Sequence, residues 1–103
     1  MKNKTNKLAK LEKNRFSILT EDLDHCLIHS NILADDINEV FMGRNRQNSM
    51  RWGLCIPLCR KCHEQYHVDR IMQVYFMKEA QIKFEKVYPN EDFTKIFLKN
   101  YKD

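Results

Sequence analysis

Hydrophobic and polar positions along this chain change their period at residue 59. In residues 53–58, Leu54, Ile56 and Leu58 fall on one face of an extended segment and Cys55 and Pro57 on the other. Pro57 has no N–H to give a ladder, so this strand is expected at an edge or to end there. Residues 37–42 alternate well enough for a second strand, which Gly43 ends. Residues 15–19 read as another short strand, residues 30–37 as a turn, and the polar, basic residues 44–51 as an exposed loop or a single helical turn. From Arg60 a helical pattern runs nearly to Pro89. Ile71, Val74, Met77, Phe84 and Val87 recur mostly at spacings of three and four, with Lys78, Lys83, Glu85 and Lys86 largely opposite. Val68-Asp69-Arg70 marks a break, with Asp69 capping the helix that begins at Arg70. Pro89-Asn90 stops that helix, and residues 91–101 predict a last short one that buries Phe93, Ile96, Phe97 and Tyr101 as core. The fold class expected from this pattern is α+β.

Composition narrows the class without changing it. A 103-residue chain with 43% hydrophobic residues, two glycines and two prolines has the make-up of one globular domain. Residues 15–103 read as that domain. Residues 1–14 are lysine-rich; Leu8 and Leu11 allow a short helix, but no apolar stripe holds it, so this stretch reads as a basic tail, disordered when free. No apolar run approaches the roughly 18 to 20 residues that span a bilayer, and no signal core follows the basic opening. The expectation is a cytoplasmic protein with no membrane partner, whose clustered cysteines stay reduced and bind metal.

The net charge of +4 matters less than where it sits. Between Lys2 and Arg15 there are six cations against Glu12 alone, and Arg44, Arg46, Arg51, Arg60 and Lys61 occupy a stretch from residue 42 to 61 that holds no acid. Two basic surfaces of this kind suit a polyphosphate, because each neutralised phosphate releases a condensed counterion.

The chemistry converges on Cys59-Arg-Lys-Cys62-His63-Glu-Gln-Tyr-His67. C-x-x-C brings two thiolates within reach of one ion, and His63 and His67, four apart, share a helix face. With the upstream pair Cys26-Leu-Ile-His29 this is a strong zinc signal for a cytosolic chain. The bland alternatives are two buried cysteines or a redox pair, and for the histidines one buried and one solvated ring. Cys55, flanked by apolar residues, reads as a small buried hydrophobe.

Strand, turn, strand and helix, with C-x-x-C at the helix start and H-x-x-x-H within it, resembles the ββα-metal, treble-clef-like core of HNH endonucleases. The chain is similar in particular to the small zinc-containing HNH proteins of phages and mobile elements. The resembling residues are Asn38-Glu-Val-Phe-Met-Gly43-Arg-Asn-Arg46, then Ser49, Gly53-Leu54, Pro57-Leu-Cys59, Cys62-His63 and His67, within a match from about Cys26 to Tyr88. Asn38 and Glu39 stand where that family tends to carry two histidines, one an ion ligand and the other the general base.

The resemblance implies a structural zinc site of Cys26, His29, Cys59 and Cys62, with His25 as a rival to His29. It implies a second, catalytic ion (Mg²⁺, Mn²⁺ or Zn²⁺) held by Asn38, His63 and His67. Glu39, Asn38 and His63 become the candidate catalytic residues, with Glu39 as base or carboxylate ligand. Asn45 or Asn48 is offered for the asparagine that names the family. Arg44, Arg46, Arg51 and Lys61 are the candidate phosphate contacts. DNA is the expected partner and metal-dependent DNA cleavage or nicking the expected activity. The alternatives are a catalytically silent DNA-binding descendant and a zinc-stabilised module whose partner is another protein.

Overall fold

The computed structural model describes residues 6–102. Residues 1–5 and 103, the outer ends of the expected tail and domain, lie outside the described residues. The elements in order are α1 (Asn6–Lys13), β1 (Asp36–Glu39), a 3₁₀ turn (Gly43–Asn45), α2 (Arg46–Trp52), β2 (Cys55–Leu58), α3 (Arg60–Val68), α4 (Arg70–Val87) and α5 (Phe93–Phe97). The fold is mixed α+β, with a two-stranded antiparallel sheet.

β1 and β2 pair Asp36 with Leu58, Ile37 with Pro57, Asn38 with Ile56 and Glu39 with Cys55. Pro57 is tolerated because the other edge of β2 is reached through its carbonyls. Ile18 N donates to Gly53 O, Ser17 Oγ to Cys55 O and Leu27 N to Pro57 O, at 2.8, 2.7 and 2.8 Å. Residues 15–19, expected as a strand, are not one. They run alongside β2 and satisfy it through a hydroxyl and single backbone bonds, because Ser17 turns its hydroxyl to the sheet and also accepts from Leu19 N.

The connection between the strands, expected as an exposed loop or a single helical turn, is a 3₁₀ turn followed by the two turns of α2. Asn45, Asn48 and Ser49 bond to backbone, while Arg44, Gln47 and Arg51 are exposed. Ser49, fully buried, accepts from Phe41 N and donates to Phe41 O, at 3.1 and 2.7 Å, and so locks α2 across the end of β1. Gly53 ends α2 in the left-handed region at φ 76°, and a Cβ there would come within 2.5 Å of the Phe16 ring. Within the basic tail, Asn6–Lys13 forms the short helix that Leu8 and Leu11 allow, and it lies on α2, where Glu12 meets Arg46 at 2.7 Å.

Asp69 divides α3 from α4 and accepts from Met72 N, as its position predicts. α4 and α5 close the core over the sheet with Phe84, Phe93 and Phe97 around Phe41, and Tyr66 of α3 donates its hydroxyl to Val40 O at 2.9 Å. The aromatic residues of α5 are thus core, with Phe93 and Phe97 stacked at 4.4 Å between ring centroids. Among the described residues no helix is long and apolar enough to cross a membrane.

Candidate metal centre

Two backbone knuckles meet beside the sheet. The first is a tight turn in which Cys26 N donates to Ile32 O and Ile32 N to His29 O, both at 2.8 Å, while His29 N points at Cys26 Sγ, 3.4 Å away. The second is the start of α3, where Cys59 is the N-cap residue in an extended conformation and Cys62 lies in the first turn. The Leu27 N–Pro57 O bond straps the first knuckle to the strand that leads into the second. As a result one ligand atom from each of Cys26, His29, Cys59 and Cys62 lies within 4.8 Å of the others.

This donor set fits zinc. In a tetrahedron with Zn–S near 2.3 Å and Zn–N near 2.0 Å, sulfurs stand about 3.8 Å apart and sulfur and nitrogen about 3.5 Å. Here His29 Nδ1 is 3.2 Å from Cys62 Sγ and 3.9 Å from Cys59 Sγ. Cys26 and Cys62 are shifted in opposite directions. Burial opposes ionisation at Cys26, but N–H donors from Cys59, His29 and Ile28, with a hydrogen bond from the Cys59 thiol, outweigh it and draw the thiol down to about 6. At Cys62 burial and the two neighbouring sulfurs act together and push the thiol up to about 12. Sulfurs this close cannot all carry charge unaided, and a divalent cation among them removes the conflict. His25 takes no part: its ring bonds to Asp22 at 3.0 Å. Cys55 is also outside, fully buried, its thiol pushed up to about 12 chiefly by burial.

One residue beyond Cys62 the same helix presents a different arrangement. His63 and His67 bring their Nε2 atoms to 2.9 Å. His63 Nδ1 is 2.7 Å from Asp36 Oδ2, a contact that assigns the Nδ1 proton and leaves the Nε2 lone pair facing His67. Asp36, Asn38, Glu39, Arg15, Arg46, His63 and His67 all line one hollow of about 390 Å³. Asn38 is 5% exposed, and its Nδ2 is buried without a hydrogen-bond partner. Two ring nitrogens, with the amide oxygen of Asn38 in the same hollow, form a set that can hold a divalent ion, while the unpaired Nδ2 is a donor and takes no part in ligation. At metal–nitrogen distances near 2.0 to 2.1 Å, cis ligands stand about 3 Å apart.

Glu39 lies in the same hollow, but its oxygens are engaged. Arg15 donates to Oε2 from Nε and Nη2, at 3.2 and 2.9 Å, and Arg46 Nε donates to Oε1 at 3.1 Å. Arg46 also reaches Glu12, so four charged side chains form a chain from α1 into the hollow. Arg44, Arg46 and Arg51 come together along a second hollow beside α2, while Lys61 is exposed on α3 and lines neither. Asn45 and Asn48 are committed elsewhere: Asn45 Nδ2 donates to Phe97 O and Asn48 Nδ2 to Ile96 O, at 3.1 and 3.2 Å, so both amides hold α5 to the loop.

Asp36 and Arg15 are the site residues that sequence reasoning missed. Asp36 carried a signal, since it stands two before Asn38 on a strand and therefore on the same face. Arg15, twenty-four positions from its partner, carried none. No family model, curated protein or solved structure matches this chain.

Proposed function

We propose that this chain is a small metal-dependent DNA endonuclease or nickase of HNH type, built on a ββα-metal core with a structural zinc at Cys26, His29, Cys59 and Cys62. The observation that carries the reading is the hollow in which Asn38, His63 and His67 gather with two arginines, the two histidines bringing their Nε2 atoms to 2.9 Å. Asn38, His63 and His67 would hold the second ion, which when bound supplies charge stabilisation on a phosphodiester and a site for water. The chain's own contribution is positional. Asp36 fixes the tautomer of His63, and Arg15 and Arg46 put two guanidinium groups where a phosphate enters. Arg44 and Arg51 extend the positive face, with Lys61 a further contact on α3.

The test is incubation of purified protein with supercoiled plasmid and Mg²⁺, Mn²⁺ or Ni²⁺, with and without chelator. Relaxed or linear product that chelator abolishes and His67→Ala lacks is the expected result, and no product under any ion removes the activity.

One observation favours a second reading, a non-cleaving DNA-binding descendant of the same fold. Both oxygens of Glu39 are held by arginines, which leaves the place of the general base filled by an anchored carboxylate. Asn38→His combined with Glu39→His distinguishes the two. Cleavage gained in that variant and absent from the parent supports the silent descendant.

A further inference from the structure

The first helix contributes more than a cap on α2. Lys7 on α1 and Arg44, Arg46, Gln47, Asn48 and Arg51 of the connection line one hollow of about 570 Å³. A smaller hollow of about 240 Å³ continues from it along α1, past Lys10, and shares Lys7 and Arg51. Arg46 lines both the 570 Å³ hollow and the one that holds His63 and His67, so the two openings meet at a single guanidinium. The larger hollow is lined chiefly by cations and amides, with Leu8 beside them, whereas the smaller has an apolar floor of Leu11, Phe16 and Met50 with Lys7, Lys10 and Arg51 around it. Lys7, Lys10, Arg44 and Arg51 have no carboxylate partner among the described residues, and no acid occurs from residue 42 to 61.

We infer that the groove between α1 and α2 is a track for the phosphodiester backbone of DNA, leading through Arg46 into the cleft of His63 and His67, with Lys7 and Lys10 of α1 as phosphate contacts. This deepens the proposed function and rests on its choice of DNA as partner. Row-like cations set a backbone in register, and amides such as Gln47 meet sugar and base edges. Glu12 holds Arg46 at the junction from the α1 side, so the same helix that supplies the lysines also orients the residue the openings share.

The experiment measures binding of the full chain to a fluorescent DNA duplex in chelator, so that cleavage plays no part, from about 50 to 300 mM salt. Lys7→Gln with Lys10→Gln removes two exposed charges from the groove. Lys78→Gln with Lys86→Gln removes two exposed charges from α4 and lowers the net charge equally. The α1 pair is expected to weaken binding about tenfold at low salt and to reduce the salt slope by about 1.8, the value for two phosphate contacts. The α4 pair is expected to change affinity less than twofold, and polyglutamate of matched charge to compete poorly. Equal losses from the two pairs, an unchanged slope for the α1 pair, or full competition by polyglutamate overturns the track. A chain that binds in this way but nicks no plasmid keeps the track and loses the nuclease. A chain that nicks but shows equal losses does the reverse.

Discussion

Cys62 and His63 are neighbours in sequence, yet they belong to two sites of opposite construction. Cys62 is 2% exposed and faces two other sulfurs and one imidazole in a closed set. His63 is half-buried, and His67 is exposed at the mouth of an open hollow. About 100° of rotation per residue is what separates them on one helix. The closed set is held by backbone: the turn at residues 26–32, the Leu27–Pro57 strap and the extended start of α3 fix every donor through main-chain bonds. The open set is held by side chains, since Asp36 orients His63, and a pair of arginines fixes Glu39. Damage should therefore spread differently. Losing a donor of the closed set releases two chain segments from each other, whereas losing one of the open set leaves the framework standing.

The largest expected effect follows from the first half of that contrast. Zinc binding in small zinc peptides contributes an apparent 10 to 16 kcal/mol, about the whole stability of a domain of this size. Cys59→Ser is expected to give a chain that holds less than one zinc and shows no cooperative melt. Metal analysis and circular dichroism check this together. A folded, cooperatively melting variant would mean that backbone bonds alone join the knuckles.

The second effect is large in activity and absent in stability. His67→Ala removes a donor from the open set only, so zinc content and melting temperature are expected to match the parent, while the nicking that the proposed function requires falls by at least about a thousandfold, the several kcal/mol an ion supplies to a phosphoryl transition state. Loss of zinc in this variant would place His67 in the closed set and remove the contrast.

What was legible in the sequence divides along the same line. C-x-x-C and H-x-x-x-H are local spacings on one helix, so their donors could be named from residues 59–67, and Asp69 announced its cap by type and position. The first knuckle was legible as C-x-x-H, though only the folded positions, His29 against the Cys62 sulfur and His25 against Asp22, separate the two histidines. The strap and the charge chain were not legible. Glu12, Arg15, Glu39 and Arg46 meet across separations of 24, 7 and 34 residues, and any one alone reads as a solvated charge. Residues 44–51 misled for a related reason. Asn45, Asn48 and Ser49 have the composition of an exposed loop, but each spends its polar group on a backbone partner, so the segment packs.

Asp36→Asn gives an intermediate effect. The variant keeps the shape of the contact and removes the charge that stabilises the His63 tautomer. Divalent-ion affinity of the open set is expected to drop 10- to 100-fold, about 1.4 to 2.7 kcal/mol, with zinc in the closed set untouched. Titration of Mn²⁺ against the zinc-loaded protein reads it directly. No change in Mn²⁺ affinity would leave Asp36 a helix-to-strand contact and nothing more.

The smallest effect decides the most disputed residue of the hollow. As a base, Glu39 needs a free lone pair aimed at water; as an anchor, it needs the arginines. The geometry favours the anchor, because both oxygens already accept from guanidinium groups and its side chain is 12% exposed against 26% for Arg15 and 37% for Arg46. Partial exposure of the arginines discounts the ion pairs, so Glu39→Gln is expected to cost about 1 to 2 kcal/mol, less than a fully buried pair. In a domain of this length that lowers the melting temperature by about 5 to 15 °C, measured with zinc in excess so that loss of metal does not enter. It should also loosen Arg46, which Glu12 then holds alone from α1, and so weaken DNA binding modestly even in chelator. A base would behave in the opposite way, with melting and binding unchanged and nicking lost. A variant that melts like the parent and binds DNA like the parent, yet no longer nicks, would return Glu39 to the chemistry and make the arginines its modulators.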